Sequence, residues 1–285
     1  MDTMLRRARP WLGTLVEMRL EGLNPASAAM ALDAAFAEVA AVHRCMSFHD
    51  ADSDLSRLHR ADVGSVVTVD ARTYEVLRCA VQVAAMSEGS FDPCVGARAV
   101  AHGALPRPRS AFVPDPAASW HDIEFPDVDR VRLRRGLWLD LGGIAKGYAV
   151  DRAIGILRAA GAVQAIVNAG GDLRVAGTRA ERVHLRIHPG EVAHTIELSD
   201  GAIASSTSSS ILRTTQTTDG ALASGEDTAT GVSVAAPSCM LADALTKVAL
   251  VAQPRVAARA LAAFGAQALC YHAAHGRWCE LGVTA

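Results

Sequence analysis

A short segment that joins an apolar stretch to a helix constrains the fold of this chain more than any other feature. The alternating apolar run at residues 137–141 predicts a strand. Gly142 and Gly143 then turn the chain, and apolar residues of 150–157 recur at helical spacing before Gly161. The segment therefore predicts a strand, a glycine turn and a helix in direct succession.

Two charged residues of opposite sign, Asp140 and Lys146, flank this glycine turn. Glycines between a strand and a helix let a ligand approach the backbone where unpaired N–H groups point outward. Such groups favour anions, so the sequence predicts a site for a phosphate-bearing ligand at this turn.

The overall composition limits the classes of protein to which the chain can belong. It has 285 residues, of which 50% are hydrophobic, and a formal net charge of −2. This predicts a globular protein with a sizeable core and gives no broad electrostatic footprint for nucleic acid. No stretch of membrane-spanning length lacks charge and no signal-peptide pattern opens the chain, so we expect no membrane span and a cytoplasmic location.

The predicted elements mix long helices with runs of consecutive strands, which favours an α+β fold over a doubly wound parallel sheet. The predicted helices are 24–44, 54–60, 71–86, the one ending at Gly161, 239–251 and 254–264. The predicted strands are 13–20, 66–69, 122–125, 130–133, 137–141, 163–168, 173–176, 183–187, 194–198 and 267–271.

Three regions complete the predicted organisation. We take 1–285 as a single domain, with the proline-rich stretch 103–118 as a possible insertion or subdomain border. The Ser- and Thr-rich stretch 205–231 is predicted to be a loop that is either mobile or grips a ligand. The arginines at the start of the chain are predicted to be solvated.

Asp243, Thr246 and Lys247 are spaced so that they share one face of a predicted helix. A carboxylate and a hydroxyl on one face are hard oxygen ligands of the kind that Mg²⁺ prefers. The Asp-to-Lys spacing is equally typical of an exposed ion pair, worth only ~0.3–0.5 kcal/mol. The spacing alone leaves both interpretations open.

Two further turns carry candidate binding residues. The segment 168–172, with paired glycines between two predicted strands, is either a hairpin turn or a place where a ligand reaches the backbone. The loop 87–93 ends a helix and sets Phe91 between Ser90 and Asp92, where an exposed ring could stack on a planar ligand.

Taken together and in this order, several segments resemble the ApbE family of FAD:protein FMN transferases. The segments are Leu12-Gly13-Thr14, Met46-Ser47-Phe48-His49 with 52–57, Gly89-Ser90-Phe91-Asp92-Pro93, 140–147, 168–172 and Ala242-Asp243-Ala244-Leu245. The resemblance implies an ApbE-like α+β fold with antiparallel or mixed sheets and long helices packed on them. It also implies transfer of FMN from FAD to a threonine hydroxyl of an acceptor flavoprotein, with Mg²⁺ and release of AMP. Many relatives are exported lipoproteins.

The resemblance also assigns positions in this chain. The resemblance implies that Asp243 and the Gly143 carbonyl bind the metal, and the helical spacing adds Thr246 to this set. Asp243 and Lys247 are the candidate catalytic residues. The positions implied to contact FAD are Leu12, His49, Ser90, Phe91, Asp92, Asp140 and Lys146.

The chain departs from the family pattern at two positions. The family usually places a metal-binding Thr where this chain has Lys247, and Thr246 lies one residue earlier. A usual His position falls on Ser224. Two hypotheses follow: an active transferase in which the Lys247 ammonium supplements or replaces the metal, or a catalytically decayed FAD-binding protein.

Overall fold

The computed structural model describes residues 4–186, 194–208, 230–273 and 276–281, and within them the sheets are antiparallel. The strands, in chain order, are β1 (Leu5–Trp11), β2 (Thr14–Glu21), β3 (Val66–Thr68), β4 (Ile123–Asp127), β5 (Arg130–Leu133), β6 (Gln164–Ala169), β7 (Asp172–Ala176), β8 (Glu181–Leu185), β9 (His194–Leu198), β10 (Ala202–Thr207), β11 (Gly231–Ala236), β12 (Gln267–His272) and β13 (Arg277–Glu280). Eight form one sheet in the order β1-β2-β6-β7-β10-β11-β12-β13, while β3-β5-β4 and β8-β9 form two smaller sheets. The predicted α+β class is confirmed.

The helices pack mainly against one face of the large sheet. They are α1 (Pro25–Met46), α2 (Asp54–Arg60), α3 (Ala71–Met86), α4 (Gly96–Ala101), α5 (Ala145–Ala159), α6 (Cys239–Val251) and α7 (Pro254–Ala263), with one 3₁₀ turn at Trp120–Asp122. Side chains cap several N-termini, as where the Asn24 side chain accepts from the Ser27 amide and Ser238 accepts from the Leu241 amide. Helix α5 lies between α1 and α6 and contacts β6 and β7.

Buried and more exposed side chains alternate along the strands, so the two faces of the large sheet differ. On β2, Val16, Met18 and Leu20 are buried beneath the helices, whereas Glu17 and Arg19 point to the opposite face. That opposite face and the β8–β9 pair line a cavity of about 800 Å³. The main apolar core therefore lies on the helical side.

Helix α1 is the one helix in the described ranges that is long and apolar enough to cross a membrane. Half of its most apolar stretch is buried within the protein, where Leu32, Phe36 and Val39 join the core. Its apolar side chains therefore have protein partners in this fold.

A close crossing joins α5 to the start of α6. A side chain at Gly147 would overlap the backbone carbonyl of Cys239, so only glycine fits there. One turn later, the Asp151 carboxylate accepts hydrogen bonds of 2.9 Å from the amides of both Cys239 and Met240. This carboxylate satisfies two N–H groups at the α6 N-terminus and holds the two helices in register.

Two predicted features of the chain differ from the structure. Residues 137–141 are extended but form no strand, because their backbone groups bond elsewhere: Leu139 donates to a histidine ring and Asp140 donates to the Pro93 carbonyl. The arginine-rich start is strand β1, whose Arg7 and Arg9 pair with Asp33 of α1. Edge strands tolerate such charged alternation.

Strands β10 and β11 were not predicted, because their small and polar residues are typical of loops. The predicted loop 205–231 begins within β10, and β11 follows from Gly231; residues 209–229 lie outside the described ranges. Within β10 and β11, Ser205 and Ser233 bond to each other at 2.8 Å. The proline-rich excursion contains no helix or strand between α4 and Trp120, and its role as a subdomain border stays a prediction.

The close crossing predicts that Gly147→Ala destabilises the protein by about 3 kcal/mol, because backbone rather than a flexible side chain blocks the added methyl group. Urea unfolding followed by circular dichroism measures the loss. Gly155→Ala on the same helix is the matched control, since a Cβ there meets nothing within 4 Å, and it should stabilise by ~0.5–1 kcal/mol. Equal changes in unfolding free energy for Gly147→Ala and Gly155→Ala would contradict a close backbone contact at Gly147.

Candidate active site

Four charged side chains meet where the N-terminus of α5, the β6–β7 hairpin and α6 come together. We call them the lysine–carboxylate cluster: Lys146, Asp172, Asp243 and Lys247. The side chains of both aspartates are almost fully buried, and 10% of the Lys247 side chain is exposed. Buried charges persist only when they are paired, and here each carboxylate contacts an ammonium group.

Lys146 bridges the two carboxylates from the first turn of α5. Its Nζ contacts Asp172 Oδ2 directly and lies 3.8 Å from Asp243 Oδ2. Burial opposes the charge of Lys146, but Asp243 and Asp172 outweigh it and raise the pKa of this lysine. Lys146 therefore stays protonated, and about a third of its side chain remains exposed.

Lys247 contacts the other carboxylate oxygen of Asp243, Oδ1. Its Nζ contacts Asp243 Oδ1 directly and donates at 3.0 Å to the Asp243 backbone carbonyl. The predicted surface pair is thus a buried one, because most residues of α6 are buried and the helix presents no broad solvent face. In addition, the Gly147 amide lies 3.3 Å from Asp243 Oδ2, which links the cluster to α5.

The two aspartates respond oppositely to this setting. Burial raises the pKa of Asp243, but Lys146 and Lys247 together outweigh burial and hold it below its ordinary value. For Asp172, burial and then the negative charge of Asp243 raise the pKa to about 6 despite both lysines. Asp243 is therefore the firmly ionised carboxylate of the cluster.

The glycine turn reaches the same cluster. Asp140 is buried, and its Oδ1 accepts a 2.9 Å hydrogen bond from the Gly142 amide. Burial raises the pKa of Asp140, and the hydrogen bond from Gly142, with smaller electrostatic effects of His49 and Lys247, partly offsets that rise. Asp140 and Lys247 therefore interact electrostatically, which links the glycine turn to α6.

A buried histidine fixes the segment that leads into this turn. The Leu139 amide donates to His59 Nε2 at 2.9 Å, so His59 is a neutral acceptor at that nitrogen. Its Nδ1 has no hydrogen-bond partner among the described residues. Burial, with a smaller effect of Arg60, lowers the pKa of His59 to about 4. Protonation would break the acceptor bond that positions residues 137–141.

The remaining predicted FAD contacts lie in two other turns. Leu12 and Gly13 form the β1–β2 turn with φ of 57° and 71°, as a type I′ turn requires, and among described residues no hydrogen bond joins Leu12 to the cluster. Ser90 is half-buried, and Asp92 accepts from the Cys94 amide at 2.8 Å. His49 is exposed.

The proposal that Phe91 offers an exposed ring is wrong. Only 1% of this residue is accessible, because the ring packs into the apolar core. The Phe91 amide donates a 3.1 Å hydrogen bond to Ser87 Oγ, which fixes this residue in the loop. Phe91 therefore supports the loop that also receives the Asp140 amide, and it offers no face to a ligand.

The segment 168–172 is a hairpin turn that also delivers a charged group. Asn168 Oδ1 accepts from the Gly171 amide at 2.9 Å, and Gly170 and Gly171 have positive φ. The turn places Asp172 against Lys146. Asp172 is absent from the predicted site residues. Its place between two turn glycines and a strand was the available signal that it could reach a ligand or a charged partner.

The implied metal set does not fit a divalent cation in this arrangement. Ammonium groups contact or approach both oxygens of Asp243, and Thr246 donates its hydroxyl at 2.7 Å to the Asp243 backbone carbonyl. Thr246 also bonds to Ser206 at 2.8 Å. Throughout the described ranges, no three His, Cys, Asp or Glu side chains form a possible metal cluster. Gly143 is buried beside the turn, and Ser224 lies outside the described residues.

Comparison with known proteins identifies the family. Residues 12–270 match the ApbE family. The chain belongs to the ApbE family. It is 31% identical over 189 residues to the FAD:protein FMN transferase of Treponema pallidum, covering 61% of this chain and 52% of that protein. It is 32% identical over 209 residues to the enzyme of the same name from Rhodobacter capsulatus, covering 64% and 40%. The chain thus spans about half the length of these curated ApbE relatives or less.

Solved ApbE structures share the fold over nearly the whole chain. The ApbE protein of Thermotoga maritima has a TM-score of 0.80 at 24% identity, covering 98% of this chain and 97% of that one. The flavinyl transferase ApbE of Pseudomonas stutzeri, in its apo form, has a TM-score of 0.80 at 21% identity, covering 99% and 96%. These matches confirm the predicted ApbE-like fold.

The neutral state of His59 predicts a pH-dependent stability. Because the pKa falls to about 4 in the fold, the unfolded chain binds more protons below its own pKa of roughly 6.5, and stability falls as the pH drops from there. His59→Gln keeps an acceptor but does not titrate. Between about pH 7.5 and pH 5, its free energy of unfolding should fall by about 2 kcal/mol less than that of the wild type. Urea unfolding of both proteins at the two pH values measures this difference. An equal loss of unfolding free energy in the wild type and in His59→Gln would refute the role of His59.

Proposed function

We propose that this ApbE-family protein is a flavin transferase that takes FAD as substrate and moves FMN to a threonine hydroxyl of an acceptor flavoprotein, releasing AMP. The single observation that carries the proposal is the lysine–carboxylate cluster beside the glycine turn. The names of the relatives support the substrate and the acceptor. The diphosphate of FAD is the anion that such a site would receive.

Three features of the site suit a diphosphate. The two ammonium groups of the cluster supply positive charge in a largely buried setting, where electrostatic interactions are stronger than in water. The N-cap residue of helix α5, Ile144, makes no side-chain cap, and the dipole of this helix also favours an anion. The exposed Gly142 leaves the backbone accessible on the same turn.

The proposed transfer has a simple balance of bonds. The threonine oxygen forms a bond to the phosphorus of the FMN half, and the bond from that phosphorus to the bridging oxygen breaks. The bridging oxygen leaves on AMP, and the threonine proton passes to solvent or to a base. Lys146 and Lys247 would hold the phosphate oxygens and offset the charge that develops on them.

Asp243 orients both lysines rather than the substrate. Its ionised carboxylate lies between the two ammonium groups, so it fixes their positions, and its charge helps to keep Lys146 protonated. We leave Mg²⁺ out of the transfer step because the described residues do not assemble a cation site.

The second candidate is an FAD-binding protein of the same fold that performs no transfer. The contact of Lys247 with Asp243 favours it, because this contact occupies the oxygen that the family resemblance assigns to a metal. The two candidates share the binding step and differ only in whether FMN reaches an acceptor.

A transfer assay separates the candidates. The protein is incubated with a threonine-bearing acceptor and either FAD or FMN, and covalent flavin is detected by fluorescence after denaturing electrophoresis. We expect labelling with FAD alone, since FMN carries no diphosphate to cleave, and none when the acceptor Thr is replaced by Val. FAD binding without labelling would establish the binding protein instead.

Within that assay, Asp243→Asn should reduce transfer by about 100-fold, because it removes the charge that positions both lysines. Asp62→Asn, at an exposed carboxylate, is the matched control and should retain full activity. Circular dichroism and thermal melting confirm that both variants fold. Unchanged transfer by Asp243→Asn would remove the cluster from the mechanism.

A further inference from the structure

We infer that Lys247 takes the place of a divalent cation, so that this protein binds the diphosphate of FAD through ammonium groups and needs no metal ion to do so. The inference rests on the proposed function for its substrate. It concerns a property that the family relationship does not supply, since it depends on the residue that this chain carries at position 247.

The first observation is the position of the ammonium group. Lys247 is separated from Asp243 by one helical turn, and its Nζ contacts both the side chain and the backbone carbonyl of that residue. Oxygen ligands from a carboxylate and a backbone carbonyl are those that a hard cation would use. Lys247 satisfies the same oxygens with a single positive charge.

The second observation is that the other oxygen of Asp243 is also engaged. Lys146 Nζ approaches Asp243 Oδ2 at 3.8 Å, and the Gly147 amide lies 3.3 Å from the same atom. A divalent cation bound at Asp243 would therefore lie beside two ammonium groups and an N–H dipole, all of which repel it. Of the other nearby carboxylates, Asp172 is paired with Lys146, and Asp140 accepts from the Gly142 amide.

The third observation is the side chain that the helical spacing offers as a ligand. The Thr246 hydroxyl bonds to the backbone carbonyl of Asp243 and to Ser206 of β10. Its hydroxyl anchors α6 to the sheet. Reorienting Thr246 to ligate a metal would break its buried hydrogen bond to the Asp243 carbonyl and its part-buried one to Ser206.

The ammonium group retains the capacity to hold an anion. Two N–H groups of Lys247 point to Asp243, and its third has no hydrogen-bond partner among the described residues. Lys247 also acts electrostatically on Asp140 of the glycine turn. The free N–H and the exposed part of Lys146 together provide two positive contacts for a diphosphate.

FAD binding, measured by quenching of flavin fluorescence, tests the inference on the full chain. Wild-type affinity should be the same within about twofold in EDTA and in millimolar Mg²⁺. Lys247→Thr should lose about tenfold or more in EDTA, from the lost charged contact, and should recover with Mg²⁺. Lys247→Met removes the same charge without adding an oxygen, so its affinity should stay low with or without Mg²⁺.

A second measurement needs no FAD. Mn²⁺ titrated into the protein and followed by electron paramagnetic resonance reports whether a divalent site exists. We expect no stoichiometric site in the wild type or in Lys247→Met, whose thermal melting checks the fold. A wild-type Mn²⁺ site displaced by Mg²⁺, or wild-type FAD binding that EDTA abolishes, would overturn the inference.

The outcomes distinguish this inference from the proposed function. Metal-independent FAD binding without flavin transfer would retain the inference and refute the transferase. Metal-dependent binding with transfer would retain the transferase and refute the inference. Failure of the folded wild type to bind FAD under any condition would refute both.

Discussion

The close crossing of α5 and α6 at Gly147 is the constraint on which the rest of the site depends. Only a residue without a side chain lets the two helices approach so closely, and Asp151 then secures the contact by binding the first amides of α6. The crossing brings Asp243 against the start of α5, where Lys146 and the Gly147 amide reach it. A backbone contact thus sets the geometry of the charged cluster.

Burial determines what this cluster can do chemically. Carboxylates removed from water hold ammonium groups firmly, and the ammonium groups in turn keep Asp243 ionised. A largely dry pair of positive charges is costly to assemble but interacts strongly with an incoming anion. Two buried aspartates, each in contact with an ammonium group, offset that cost.

Much of the fold could be predicted from local pattern. Helices α3 and α6 have the predicted bounds, because apolar spacing and N-cap residues define both ends within the sequence. Strands β10 and β11 could not be predicted, since their Ser- and Ala-rich residues are typical of loops until neighbouring strands pair with them. Residues 137–141 show the opposite error: an apolar run is buried on all sides without joining a sheet.

The site residues, too, could be predicted only as far as local sequence pattern determines their surroundings. The helical spacing of Asp243 and Lys247 was visible, but whether the pair faces solvent depends on what packs around α6. The pairing of Lys146 with Asp172 joins residues far apart in the chain, so only the tertiary fold reveals it. Phe91 likewise follows a turn pattern typical of exposure, and its burial comes from the core beneath that loop.

In the proposed binding mode, the glycine turn after Asp140 and the helix α6 together hold one diphosphate between two lysines. A crystal structure of the protein with FAD, grown without divalent ions, tests it most directly. We predict phosphate oxygens in hydrogen-bond contact with Lys146 and Lys247, beside the N-terminus of α5. FAD bound instead in the cavity on the opposite face of the large sheet, with the cluster unchanged, would contradict the account.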